Sequence, residues 1–98
     1  MSTFNKIIHE RARLLIISHL ASSDEPVVSF SELQERLELT PGNLSVQLRK
    51  LKAAGYVKIK KVFKDNKPLT TVSMTPVGKQ ALNDYVEEME KIIRQLKN

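Results

Sequence analysis

Three rhythms of apolar residues divide this chain. Between Thr40 and Gly55, Leu44, Leu48 and Leu51 recur at i, i+4 and i+7, which places them on one buried stripe of a helix. Both ends of that helix are marked. Thr40 can accept an orphaned amide hydrogen of the first turn, and Pro41 falls at the first helical position, where it loses no hydrogen bond. Gly55 can take the left-handed conformation that closes a helix. The arc opposite the leucines carries Gly42, Asn43, Val46, Arg49, Lys50 and Ala53, with Ser45 at its edge. This face is small, polar and basic, and it suits the floor of a DNA major groove.

Upstream, Phe4, Ile7, Ile8, Ala12, Leu15, Ile16, His19 and Leu20 form a broad stripe that predicts a first helix over 4–22. Leu14, Ile17 and Ala21 add a second apolar side, so this helix is expected to be covered twice, by the core and by a partner chain. Asp24-Glu25-Pro26 ends it, and the β-branched pair Val27-Val28 predicts a very short strand. Ser29-Phe30-Ser31-Glu32 is a capping box opening a helix over 30–37 that buries Phe30, Leu33 and Leu37. Glu38 and Leu39 make a tight turn, with Leu39 inward. A short helix, a turn and a second helix with a basic outer face make a helix-turn-helix.

After Gly55 the period changes to 2. Tyr56-Val57-Lys58-Ile59-Lys60 alternates apolar and basic, with Val57 and Ile59 inward and Lys58 and Lys60 outward. Residues 64–68 (Lys-Asp-Asn-Lys-Pro) read as a turn. Leu69 to Met74 alternates again, with Val72 and Met74 inward, completing a β-hairpin with a basic tip. Thr75-Pro76 repeats the cap-then-proline start and opens a last helix over about 76–96. Its Leu82, Tyr85, Met89, Ile92 and Leu96 step by 3, 4, 3 and 4, the rhythm of a helix seam that Val86 and Ile93 widen. Such a helix is on the order of 30 Å long. That exceeds what a small core covers, so its outer half is expected to pack on another chain. The fold class is mainly α with a small β-hairpin, in the order α-(β)-α-α-β-β-α.

A length of 98 residues fits one domain over 1–98. Net charge is +5, and its placement says more than its size. Residues 49–67 hold eight basic side chains against Asp65 alone, so this segment carries +7 and the rest −2. Positive charge gathered on one supersecondary unit is the footprint of a nucleic-acid binder. The absence of cysteine excludes disulfides and thiolate metal sites and fits a reducing, cytoplasmic setting. No apolar run is long enough to span a bilayer. His9 and His19 lie roughly 15 Å apart along one helix, too far to share a metal. With no phosphate-binding glycine loop, no ligand cluster and no nucleophile–base signature, neither catalysis nor a cofactor is expected.

The run LTPGNLSVQLRKLKAAGYV (39–57), a basic hairpin, and then MTPVGKQAL (74–82) resemble the small winged-helix transcriptional regulators related to the MarR and ArsR groups. The resemblance extends over nearly the whole chain, from His9 to the terminal helix. It implies a homodimer that binds palindromic double-stranded DNA, with the third helix in the major groove and the hairpin, or wing, on the backbone or minor groove. Carried over by position, the recognition-helix residues are Gly42, Asn43, Ser45, Val46, Arg49 and Lys50, and Thr40 at the helix start is a candidate for a phosphate. Those of the wing are Lys61, Lys64, Asn66 and Lys67, to which Lys58 and Lys60 add phosphate attraction by their charge. Arg49 is the candidate for a base edge, since guanine offers two acceptors to its forked donors. Asn43 is a candidate for adenine or a phosphate, and Val46 for a thymine methyl. The dimer interface is expected from Phe4, Ile7, Ile8, Leu82, Tyr85, Val86, Met89, Ile92, Ile93 and Leu96. A small-molecule effector would sit in an apolar cleft between the first helix and the dimer helices. The alternative is an adaptor that binds protein or RNA without reading DNA sequence, since a winged helix does not fix function.

Overall fold

The structure, a computed structural model, describes residues 5–98. Phe4, expected in the first helix and at a dimer interface, lies outside them. Four helices and three strands follow in order: α1 (Arg11–Ser22), β1 (Val28–Ser29), α2 (Phe30–Leu37), α3 (Pro41–Ala53), β2 (Val57–Lys64), β3 (Lys67–Met74) and α4 (Pro76–Lys97). This is the expected winged helix-turn-helix. The strands make one antiparallel sheet in the order β1-β3-β2.

The capping signals act as their sequence requires. Ser29, Thr40 and Thr75 each hold an extended backbone and accept from the amide three residues on, at Glu32, Asn43 and Gly78. Each such cap contributes about 1 kcal/mol. Gly55, at φ 82°, ends α3 in a double-bonded closure. Its own N–H donates to the Lys52 carbonyl, and that of Tyr56 donates to the Leu51 carbonyl. The α2–α3 turn is tightened by Glu38, which adopts a left-handed φ of 54°. The hairpin turn is tighter than residues 64–68. It is the two-residue turn Asp65-Asn66, with φ of 53° and 62°, the conformation that matches the twist of paired strands. It closes on the Lys64–Lys67 pair.

The main core is built from Ile16 and Leu20 of α1, Val28, Leu33, the leucines 44, 48 and 51 of α3, Val57 and Val72. Phe30, Leu37, Leu39 and Ile59 pack around it. Truncating one of the fully buried leucines to alanine costs about 2–5 kcal/mol. A second core gathers Ile8, Ile17, Leu82 and Tyr85, with Leu14, Ala81 and Met89 packed against it.

Two expectations are corrected here. The first helix begins at Arg11, not at residue 4, because Glu10 adopts an extended backbone and caps α1 by accepting from the Arg13 amide at 2.9 Å. Residues 6–9 instead form a separate turn, in which Asn5 Oδ1 accepts from the amides of Ile7 and Ile8. The Ile7 carbonyl, left without a helical partner by the break, accepts from Arg13 Nε at 2.6 Å.

The second correction concerns the dimer residues. Ile8, Leu82 and Tyr85 are buried inside this chain, because the first half of α4 folds back over α1. Leu14 and Ile17, of the second apolar side of α1, therefore meet this chain's own α4, while Ala21 is exposed. Ile7 is partly buried against the main core. Of the α4 residues expected at the dimer interface, those left uncovered are Val86, Ile92, Ile93 and Leu96, the last 80% exposed, with Met89 at the margin. No helix among the described residues is long and apolar enough to cross a membrane.

Candidate nucleic-acid interface

The buried stripe of α3 leaves an outer arc on which Thr40, Gly42, Asn43, Ser45, Val46, Arg49 and Lys50 are all exposed. A Cβ placed on Gly42 would meet nothing within 4 Å, so its smallness answers no packing need of this chain. It leaves room for something outside to approach the backbone of the first turn. There the amide groups and the helix dipole favour an anion.

The hairpin stands beside this arc. A cleft of about 410 Å³ separates them, lined by Ser45, Leu48 and Arg49 from α3, by Ile59, Lys61 and Thr70 from the hairpin, and by Phe30. Two cations and two hydroxyls thus surround an apolar floor, and no acidic side chain lines it.

The strand register sorts the wing residues by side, since successive side chains alternate across a sheet. Ile59, Lys61 and Phe63 share the side that faces α3, as do their cross-strand partners Val72, Thr70 and Pro68. Lys58, Lys60 and Lys64 project to the other side, with Lys67 opposite Lys64. Asn66 sits in the turn between the strands. The structure therefore brings Lys61 together with Arg49 and Ser45, and separates Lys58 and Lys60 from them. None of Arg49, Lys50, Lys58, Lys60, Lys61, Lys64 and Lys67 has an acidic partner among the described residues, so their field is not cancelled locally.

Two features had escaped the sequence reading. Phe63 is 81% exposed on the α3-facing side of the wing, opposite Pro68. Counting by two from Ile59 past Lys61 would have found it. Gln47 is the other. It is the buried polar side chain of the described core, and it bonds both Arg13 and Asn43. Its bond to Arg13 spans 34 residues, so no local pattern announces it.

The two histidines have other occupations. His9 Nδ1 lies 2.7 Å from the Tyr85 hydroxyl, and His19 Nε2 lies 2.9 Å from Glu32 Oε2. A cleft at the end of α1, lined by Leu20, Ala21, Pro26, Val28, Met74 and Lys79 among others, has a volume of about 220 Å³. Pockets that take small organic ligands usually hold about 300–1,000 Å³.

Residues 12–93 match the winged helix DNA-binding domain family. An uncharacterised protein of Methanocaldococcus jannaschii is 29% identical over 96 residues, covering 98% of each chain. Among solved structures, a transcriptional regulator homologue from Pyrococcus horikoshii OT3 is 32% identical and superposes with a TM-score of 0.83, over 94% of this chain and 89% of that one. The transcriptional regulator BldR of Sulfolobus solfataricus is 26% identical with a TM-score of 0.66, over 85% of this chain and 59% of its own. A protein of Porphyromonas gingivalis W83 assigned to the MarR family shares the fold at 24% identity and a TM-score of 0.69, over 88% of this chain and 80% of that one. The chain belongs to the winged helix DNA-binding domain family, and its fold is that of transcriptional regulators.

Proposed function

We propose that this protein is a sequence-specific DNA-binding transcriptional regulator. It acts as a homodimer, and its default effect is repression by occupying an operator. The observation that carries the reading is the uncovered arc of α3, set beside a wing whose cations have no acidic partners among the described residues. A helix of this width enters the major groove, where Arg49 meets guanine and Val46 a thymine methyl. Thr40, Gly42 and the first-turn amides approach a phosphate, Ser45 and Lys50 flank the base contacts, and Asn43 reads an edge of the groove. Lys61 and Phe63 follow the same strand of DNA from the wing, Phe63 against the sugars. Lys58, Lys60, Lys64, Asn66 and Lys67 add salt-sensitive attraction to the backbone.

The dimer forms through the outer half of α4. Val86, Met89, Ile93 and Leu96 recur at 3, 4 and 3, a seam that shares Met89 with the chain's own second core and lies to one side of Leu82 and Tyr85. Ile92 widens it. Two recognition helices related by a two-fold axis would then meet half-sites about one DNA turn apart, so the operator is palindromic. Family and fold favour this reading over an enzyme. Selection of bound duplexes from a random pool tests it. An inverted repeat recovered by the wild type supports it, and a pool that remains random after selection counts against it.

A further inference from the structure

Gln47 sits on the flank of α3, between the leucine stripe and the outer arc, and is buried. A buried carboxamide is costly unless its groups are bonded, and both of its ends are used. Oε1 accepts from Arg13 Nη1 at 2.6 Å, and Nε2 donates to Asn43 Oδ1 at 2.9 Å. The oxygen and nitrogen of an amide are ordinarily interchangeable by a flip, but here chemistry removes that freedom. A guanidinium can only donate, so the oxygen of Gln47 must face Arg13. Its nitrogen then faces Asn43 and must find an acceptor there. Arg13 is itself fixed by donating from Nε to the Ile7 carbonyl at 2.6 Å.

We propose that Arg13 and Gln47 are positioning residues that hold the Asn43 carboxamide with its oxygen turned towards Gln47, so that Asn43 leads with its Nδ2 hydrogens towards DNA. This inference rests on α3 entering the major groove. Its consequence is a specificity. An asparagine that recognises adenine in the bidentate manner must both accept from N6 and donate to N7. With one lone pair of Oδ1 taken by Gln47 and the oxygen held on that side, that two-pronged pairing is disfavoured. An Asn43 that leads with its Nδ2 hydrogens instead selects a base with acceptors at its edge, guanine above all, and disfavours cytosine, which presents an amine.

The test is a comparison of base preference among variants by site selection from random duplexes. In Gln47→Glu the carboxylate still accepts from Arg13 but cannot donate. Asn43 must then turn its nitrogen inward and present its oxygen. Preference at one position of each half-site should move from guanine towards cytosine or adenine, by on the order of tenfold in relative affinity. The other positions should stay unchanged, which a merely structural role for Gln47 would not produce. Gln47→Met, which fills the space and makes neither bond, should flatten preference at that same position. Asn43→Asp lies on the exposed surface and needs no refolding of the core. It presents an acceptor outward while still accepting from Gln47, and should reproduce the shift seen with Gln47→Glu even if the buried carboxylate unfolds the chain. A wild type that selects a sequence, with Gln47→Glu and Asn43→Asp selecting that same sequence, overturns this inference alone. A wild type that selects nothing overturns the groove reading and this inference with it.

Discussion

The hydroxyl of Thr75 donates to the carbonyl of Gly55 at 2.6 Å, joining residues that lie twenty apart in the chain. The same oxygen accepts from the Gly78 amide at 3.0 Å, and the Thr75 amide donates to the Tyr56 carbonyl. One threonine thus fastens the closing turn of α3 to the opening turn of α4.

Gly78 is what allows the two turns to lie so close. A Cβ there would collide with the carbonyl oxygen of Tyr56, a backbone atom that cannot rotate away. Gly78→Ala should therefore destabilise the fold by at least about 1–3 kcal/mol. Gly42→Ala, which meets open space, should change stability by less than about 1 kcal/mol. Urea unfolding of the two variants beside the wild type checks the contrast, and equal stability of all three would show that the α3–α4 junction can relax.

The outer half of α4 predicts how the oligomer should respond. Ile93→Glu with Leu96→Glu puts like charges into the proposed seam, and neither side chain belongs to the chain's own core. The variant should sediment as a monomer and keep its far-ultraviolet helix signal. A wild type that is already monomeric at micromolar concentration would remove the homodimer.

The side of the wing on which a lysine lies should decide its worth. Lys61→Ala should weaken binding to every duplex and flatten the log–log salt dependence by about 0.9, the signature of one lost phosphate contact. Lys60→Ala, on the far side of the hairpin, should change that slope less. Titrations at several salt concentrations separate the two. Identical slopes for both variants would mean that the wing meets DNA by its tip and not by its α3-facing side.

Phe63 should act differently from the lysines around it. It is apolar and largely exposed, so Phe63→Ala should leave thermal stability intact. Affinity for DNA should fall while the salt slope stays that of the wild type, since no phosphate contact is lost. A lower melting temperature with unchanged DNA affinity would instead assign Phe63 to folding.

The helix-turn-helix and the wing were legible because their signals are local. Ser29, Thr40 and Thr75 announce helix starts within four residues, and the change of period at Gly55 marks the strands without reference to anything distant. The break before α1 was not legible. Ile7 and Ile8 continue the apolar rhythm of Ala12 and Ile16 straight across it, and glutamate is a weaker cap signal than serine or threonine. The destination of the α4 stripe was also hidden. A 3-4 repeat says that a face is covered, but Leu82 and Tyr85 turn to their own core while Ile93 and Leu96 do not. The pattern is the same in both halves. At the interface, the exposed arc of α3 follows from its leucines alone. The Arg13–Gln47–Asn43 chain requires the folded juxtaposition of two distant segments.

The central claim, that α3 reads DNA sequence, falls most directly on Arg49. This residue is exposed on the arc away from Leu44, Leu48 and Leu51, so core packing does not set its type. The measurement is a pair of titrations at fixed salt, on the selected operator and on a scrambled duplex, for wild type, Arg49→Ala and Arg49→Lys. Arg49→Ala should lose about 1–3 kcal/mol on the operator and much less on the scrambled duplex. Arg49→Lys should recover general affinity more than selectivity, because lysine restores the charge without the forked geometry. Equal losses on the two duplexes would contradict the account and make Arg49 a backbone contact.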